Sequence, residues 1–293
     1  MDSLISFLLS LDYASYWGVF FFGLLISTTA MSTGIDGAAF WAPVFLLVYK
    51  VDPKVAVACA IFIELFGFSS GVVGYVRKKK ILYKKALTML IVSIPFAIAG
   101  AFLSKIIPSF MLIIIIGVCS SLLVVFNLYQ TTQQQKEIED HHSHKLVNKP
   151  LGMILTAIGG LFDGAVGLGL GETNNYYLAN KNKFNAAYAA GTSVFMIAIN
   201  GLACNLFNGL YFHKYSNLAD WNQVASILIF AIPSVLIGAQ IGVHLVHRFK
   251  KIYFNYLVAA VFAIVAVVDF YRGYMAYNPG EWQIFVASLL GGV

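Results

Sequence analysis

Ile94-Pro95-Phe96-Ala97-Ile98-Ala99-Gly100-Ala101 and Ile232-Pro233-Ser234-Val235-Leu236-Ile237-Gly238-Ala239 share one frame, Ile-Pro-x4-Gly-Ala, at an offset of 138 residues. Each copy sits late in a stretch that opens on a glycine-rich turn and closes on a wholly apolar helix. The turns are Ser32-Thr33-Gly34-Ile35-Asp36-Gly37 and Gly164-Ala165-Val166-Gly167-Leu168-Gly169-Leu170-Gly171. Two copies of one membrane unit is the pattern of a transporter.

The 293 residues are 59% hydrophobic and 11% charged, against about 25% charged in ordinary soluble domains. Apolar stretches of roughly 15–25 residues, close to the ~20 that cross hydrocarbon, mark an all-α polytopic membrane protein. The alternation of an outer-membrane barrel is missing. Asp2 stands where a secretory signal would carry basic residues, so the first helix is expected to direct its own insertion. Cys59, Cys119 and Cys204 lie far apart in apolar stretches without C-x-x-C spacing. They read as buried small hydrophobes rather than as a disulfide framework or a zinc site. The net charge of +6 comes from loop lysines beside the spans, which points to membrane sidedness and away from nucleic acid.

Five elements are expected per repeat. The first set runs over Tyr16–Met31, Ala38–Val48, Val55–Val76, Ala86–Ser104 and Ser109–Gln130, and the second over Gly152–Val166, Thr173–Ala179, Asn185–Tyr211, Gln223–Val246 and Ile252–Tyr271. This divides the chain into a first repeat (1–130), a linker (131–149), a second repeat (150–272) and a tail (273–293), with about 8–10 membrane helices. The second element of each repeat is too short to span. The first two elements therefore read as a helix broken or doubled back at the glycine turn, where irregular backbone is tolerated only beside a cavity. If both return to one face, each repeat crosses an odd number of times and the second is inverted. Fourteen of the 19 Lys and Arg then lie inside and five outside, against eleven and eight for parallel repeats. The positive-inside rule favours inversion in the cytoplasmic membrane, with both termini outside. The linker carries His141, His142 and His144 beside acids, without structured ligand spacing, and reads as solvated polar chain rather than a metal site. The short apolar tail is expected at the interface, anchored by Trp282.

Asp36, Glu64, Asp163 and Glu172 lie within apolar stretches, at a cost of roughly 2.5–3.5 kcal/mol each if they faced lipid at mid-depth. They are expected to face the protein interior or water. None of the 19 Lys and Arg lies in an apolar stretch, so protonation or hydrogen bonding must satisfy the acids. They are candidates for proton coupling; the alternative for Asp36 and Asp163 is the capping of helix N-termini. Glu172-Thr173-Asn174-Asn175 follows Gly167-x-Gly169-x-Gly171, where a short half-helix should begin. Orphan N–H donors there can hold an anion without a cationic side chain. Candidate binding residues are Gly34, Gly37, Gly167, Gly169, Gly171, Thr173 and Asn174, although glycines also serve close helix packing. In the next helix Thr192, Ser193 and Asn200 share a face, lining a pathway or bonding neighbouring helices. Trp41, Pro43, Tyr176 and Tyr177 read as packing or interface residues.

These features resemble the TauE/SafE family of sulfite exporters, also called toluene sulfonate uptake permeases. The likeness rests on the duplicated turn (Gly34 to Pro43; Gly167 to Gly171), Ala190-Gly191-Thr192-Ser193, Gly71-x-x-Gly74-Tyr75-x-Arg77 and the paired Ile-Pro-x4-Gly-Ala segments, and spans about Gly23 to Tyr271. The resemblance implies transport of small anions such as sulfite and sulfonates. Asp36 interrupts what is often a run of glycines, and Glu172 is a feature of only some members, which suggests different coupling or substrate. A proton-coupled, alternating-access anion transporter is expected, or alternatively a transporter of a cation or neutral solute with the acids as ligands. No cofactor, metal or catalytic residue is expected. His213, His244 and His247 lie near helix ends and no H-E-x-x-H motif occurs, so an intramembrane enzyme is disfavoured. The expected partners are a small anion, the lipid bilayer and, as a candidate, a second copy of the chain.

Overall fold

The computed structural model describes residues 11–132, 149–212, 221–246, 251–277, 279–280 and 283. The linker histidines, His213, His247 and Trp282 lie outside the described residues. One helical turn, Tyr13–Tyr16, leads into ten elements: α1 (Gly18–Thr33), α2 (Ala38–Leu47), α3 (Pro53–Arg77), α4 (Tyr83–Ile106), α5 (Ser109–Thr132), α6 (Lys149–Val166), α7 (Leu170–Asn175), α8 (Ala186–Phe212), α9 (Trp221–Leu245) and α10 (Lys251–Met275). A π-helical turn, Tyr176–Lys181, extends α7. Among the described residues, eight helices are long and apolar enough to cross a membrane, and α2 and α7 are not among them. The chain is thus an all-helical, multi-pass membrane protein.

The expected boundaries shift by up to four residues, and two of the shifts bear on the site and its charges. The second half-helix opens at Leu170 rather than Thr173, because the turn ends at Gly169, whose φ of +116° lies outside the helical region. The last helix runs to Met275 rather than Tyr271 and so takes in Arg272. That arginine was expected in a loop, yet it lies inside a spanning segment, within electrostatic reach of buried Asp269 three residues before it.

Both hairpins form for the same local reason. α1 ends where Gly34 adopts φ +72° and its N–H donates to Ala30 O at 2.7 Å. α6 ends where Gly167 adopts φ +75° and donates to Asp163 O at 2.8 Å. This left-handed cap is open to glycine without penalty. Beyond it the chain doubles back. The Tyr16 ring, before α1, packs on the Tyr49 ring, after α2, with centroids 5.0 Å apart and planes tilted by 34°; in the second hairpin Gly152 lies against the Tyr177 ring and the Thr156 hydroxyl donates to Asn174 at 3.0 Å.

The halves interlock by exchange. α1 packs on α9, α4 on α6 and α5 on α10, with α3 crossing α8 at the centre. The glycines of the repeated signature make this possible. Gly100 of α4 sits directly on the α6 backbone at Leu161, and a Cβ on Gly238 of α9 would lie 2.7 Å from Leu24 O of α1. Side chains at either position would force apart helices that associate through close packing, since apolar burial gains little in lipid. At one rim the Tyr75 hydroxyl caps the end of α1 through Met31 O at 2.6 Å, and Lys78 Nζ caps α9 through Val243 O at 2.7 Å. At the other, Gln223 donates to Tyr49 O at 3.0 Å.

Candidate functional site

The two hairpin tips meet in the interior. A Cβ on Gly171 would lie 2.8 Å from Gly34 O and 2.9 Å from Asp36 N, and one on Gly34 would lie 2.6 Å from Ala190 Cα in α8. Only residues without side chains allow the two backbones this approach. Asn175 ties the crossing by donating to Thr33 O.

Four acids converge here, with relative exposures of 0% for Asp36, 4% for Glu64, 4% for Asp163 and 1% for Glu172. Three of them occupy the backbone donors left open by the turns. Gly37 N–H and Ala38 N–H, which open α2, both donate to Glu64 Oε1, at 2.6 and 3.2 Å. Gly171 N–H lies 3.1 Å from each carboxylate oxygen of Asp36. Gly169 N–H donates to Glu172 Oε2 at 3.1 Å, while the buried Glu172 Oε1 receives no N–H donor and the carboxyl lies within hydrogen-bonding reach of Asp36. Asp36 interacts electrostatically with Glu64, Asp163 and Glu172. Among the described residues no lysine or arginine is buried with them. The donors read from the sequence as an anion site are therefore present, and in this conformation carboxylates of the same chain fill them.

A family model described as sulfite exporter TauE/SafE matches residues 19–268. The chain belongs to that family. Neither the curated proteins nor the solved structures compared with it give a match.

The other residues singled out in this TauE/SafE chain divide between the tips and the helix packing. Asp36 does cap a helix, but it caps α7 of the opposite half and not its own α2. Asp163 sits at the end of α6 and caps no N-terminus. Thr173 spends its hydroxyl on Gly169 O at 2.8 Å, and Asn174 joins Thr156 to Met196. Thr192 accepts from Leu82 N–H at 3.1 Å, holding the loop between α3 and α4. Asn200 pairs with Ser93 of α4, donating to its hydroxyl at 2.9 Å. These two bond neighbouring elements. Ser193 is buried with its hydroxyl unpartnered, one turn along α8 from the Ala190 that touches Gly34. Trp41 stacks on Phe45 in the core, Tyr176 packs on Phe126, and the side chain of Pro43 is outside the described residues.

Between α3, α8 and α9 lies a cavity of about 280 Å³ lined by residues that include Ala58, Cys59, Phe62, Asn205 and Asn208. Cys59 and Ala58 precede Glu64 by one to two turns of α3, so the cavity lies between the acids and the rim that holds Tyr49. Asn205 secures its floor by donating to Ile61 O at 3.2 Å, and Asn208 Oδ1 is buried without a partner. Sequence reading missed this cavity and missed Asp269. Asp269 was visible as an acid within the last apolar run; of the cavity only the polar line of α8 through Asn205 and Asn208 was legible, because the space itself arises from the crossing of three helices.

Proposed function

We propose that this family member carries a small oxyanion, a sulfite, sulfonate or related organosulfur acid, across the cytoplasmic membrane by proton-coupled alternating access. The observation that carries this reading is the meeting of two broken-helix tips whose backbone donors face buried carboxylates. Discontinuous helices that meet at mid-depth between two repeats are where secondary transporters hold substrate. The exchange of helices between the halves favours an inverted pair, in which α1 serves the first half as α6 serves the second. The 280 Å³ cavity lies one to two turns of α3 from Glu64 and would have to open toward the acids to serve as their approach. In this reading the linker faces the cytoplasm, both termini lie outside, and the tips can be exposed to each side in turn.

A thermal-shift series on the purified protein with sulfite, sulfate, methanesulfonate, taurine and an aryl sulfonate tests the substrate class, because a ligand that binds only the folded state raises its apparent stability. Proteoliposome flux under an imposed pH gradient tests the coupling. Stabilisation by metal or alkali cations with none by anions would favour the reading in which the four acids ligate a cation. Maleimide labelling of a single cysteine at position 136 tests orientation: labelling from the outside alone would overturn it.

A further inference from the structure

We propose that Glu64 is a resident stand-in for the transported anion: its carboxylate holds the Gly37 and Ala38 N–H donors until protonation frees them for a substrate of the same charge and shape. This rests on the anion-transport reading and specifies how its site is regulated. α2 is ten residues long, so its first N–H groups carry the positive end of a helix dipole as well as open hydrogen bonds. Glu64 reaches this end from α3 and places one oxygen on both donors. The second indication is Glu172. It is 1% exposed, its carboxyl lies within hydrogen-bonding reach of the Asp36 carboxyl, next to Gly37, and its Oε1 receives no N–H donor. A buried acceptor without a donor marks a place where a proton or a donating ligand completes the site.

The exchange balances. A proton joins the Glu64 carboxylate, its hydrogen bonds from Gly37 and Ala38 are released, and the incoming anion accepts them; no covalent bond other than the O–H is made. One negative charge replaces another, so the net charge of a centre without a buried cation is unchanged for a monovalent anion. The substrate class this favours is a singly charged oxyanion with carboxylate-like oxygens, a sulfonate or bisulfite. A doubly charged anion requires a second proton, and Glu172 is the acid placed to take it. The groups facing Glu64 are Asp36 on the first tip, Asp163 on α6 and Cys204 on α8; Glu172 on α7 faces Asp36 and, beyond it, Cys119 on α5. The nearest cation is Lys105 on α4, which reaches Cys204; the groups that act on Glu64 directly are acids and a thiol.

Titration calorimetry of methanesulfonate into the intact protein, in two buffers of different ionisation enthalpy, reads the proton directly. The expected result is uptake of about one proton per anion near neutral pH, with binding tightening as pH falls. Glu64→Gln keeps a neutral and weaker acceptor at the same place, so methanesulfonate affinity at neutral pH should rise about tenfold and lose most of its pH dependence. Glu64→Ala should bind at least as tightly. Wild-type binding without proton uptake, or a Glu64→Gln protein with wild-type affinity and pH dependence, overturns the stand-in while leaving an anion transporter. Loss of binding in a folded Glu64→Gln protein also overturns it, since Glu64 would then be a ligand rather than a competitor. Failure of the wild-type protein to bind methanesulfonate, sulfite or bisulfite at any pH overturns the anion reading itself, and the inference with it.

Discussion

The first hairpin tip borrows its acceptor from a spanning helix, Glu64 of α3, whereas the second is held by Glu172 of its own first turn and by Asp36 from the opposite tip. The two tips share a backbone plan: a helix, a left-handed glycine and a short returning helix. They differ in where the negative charge comes from. α8, the counterpart of α3, carries no acid at all. Duplication therefore preserved the geometry that creates open N–H groups, while the carboxylates that answer them are distributed unequally. Asp36 is the acid of the one tip whose carboxylate bonds a backbone N–H of the other, alongside the Asn175 amide that donates to Thr33 O.

That comparison can be broken most directly at the contact it depends on. Gly171→Val would drive a side chain into Gly34 O and Asp36 N, costing roughly 3 kcal/mol by overpacking. It should abolish flux and lower the thermal midpoint. Gly169→Val has more room, with its nearest neighbour, Phe162 Cβ, 3.4 Å away. It suffers mainly the left-handed backbone, about 1–2 kcal/mol, and should retain more stability. Equal damage at the two glycines would mean that the approach of the tips is not what limits the fold.

Asp36→Ala, which leaves the buried Gly171 N–H unpaired, is expected to cost about 1–3 kcal/mol and to impair transport. Asp36→Asn keeps an acceptor and should lie between this and wild type. If Asp36→Ala is no worse than Glu172→Ala in both stability and flux, the bond across the tips has no special role. Asn200→Ala, which removes the bond to Ser93 between α8 and α4, should cost about 1 kcal/mol with substrate affinity unchanged. A selective loss of affinity would return Asn200 to the binding site. The smallest effect is expected at Tyr176, whose ring packs on Phe126 near the end of the second hairpin. Tyr176→Phe should change stability by less than about 0.5 kcal/mol and leave flux intact, as measured in the same proteoliposomes.

Membrane residence, the duplicated unit, the two short elements and the four buried acids around the tips were all legible in the chain, because each is a local property: the length of an apolar run, a glycine where a helix must stop, a charge where lipid forbids it. The signature Ile-Pro-x4-Gly-Ala was legible as a repeat but not as a reason; its glycines matter because α4 and α9 rest on the first helix of the opposite half. Thr192, Ser193 and Asn200 share a helix face, as their spacing implies, yet their partners differ. The first holds a loop, the second is left unpaired, and the third joins α4. The pairing of donors with acids was likewise decided by the tertiary structure alone. Asp36 and Gly171 lie 135 residues apart, Glu64 and Gly37 only 27. Sequence spacing places a side chain on its own helix, but without water at hand a buried carboxylate takes whichever open N–H the helix crossing brings to it.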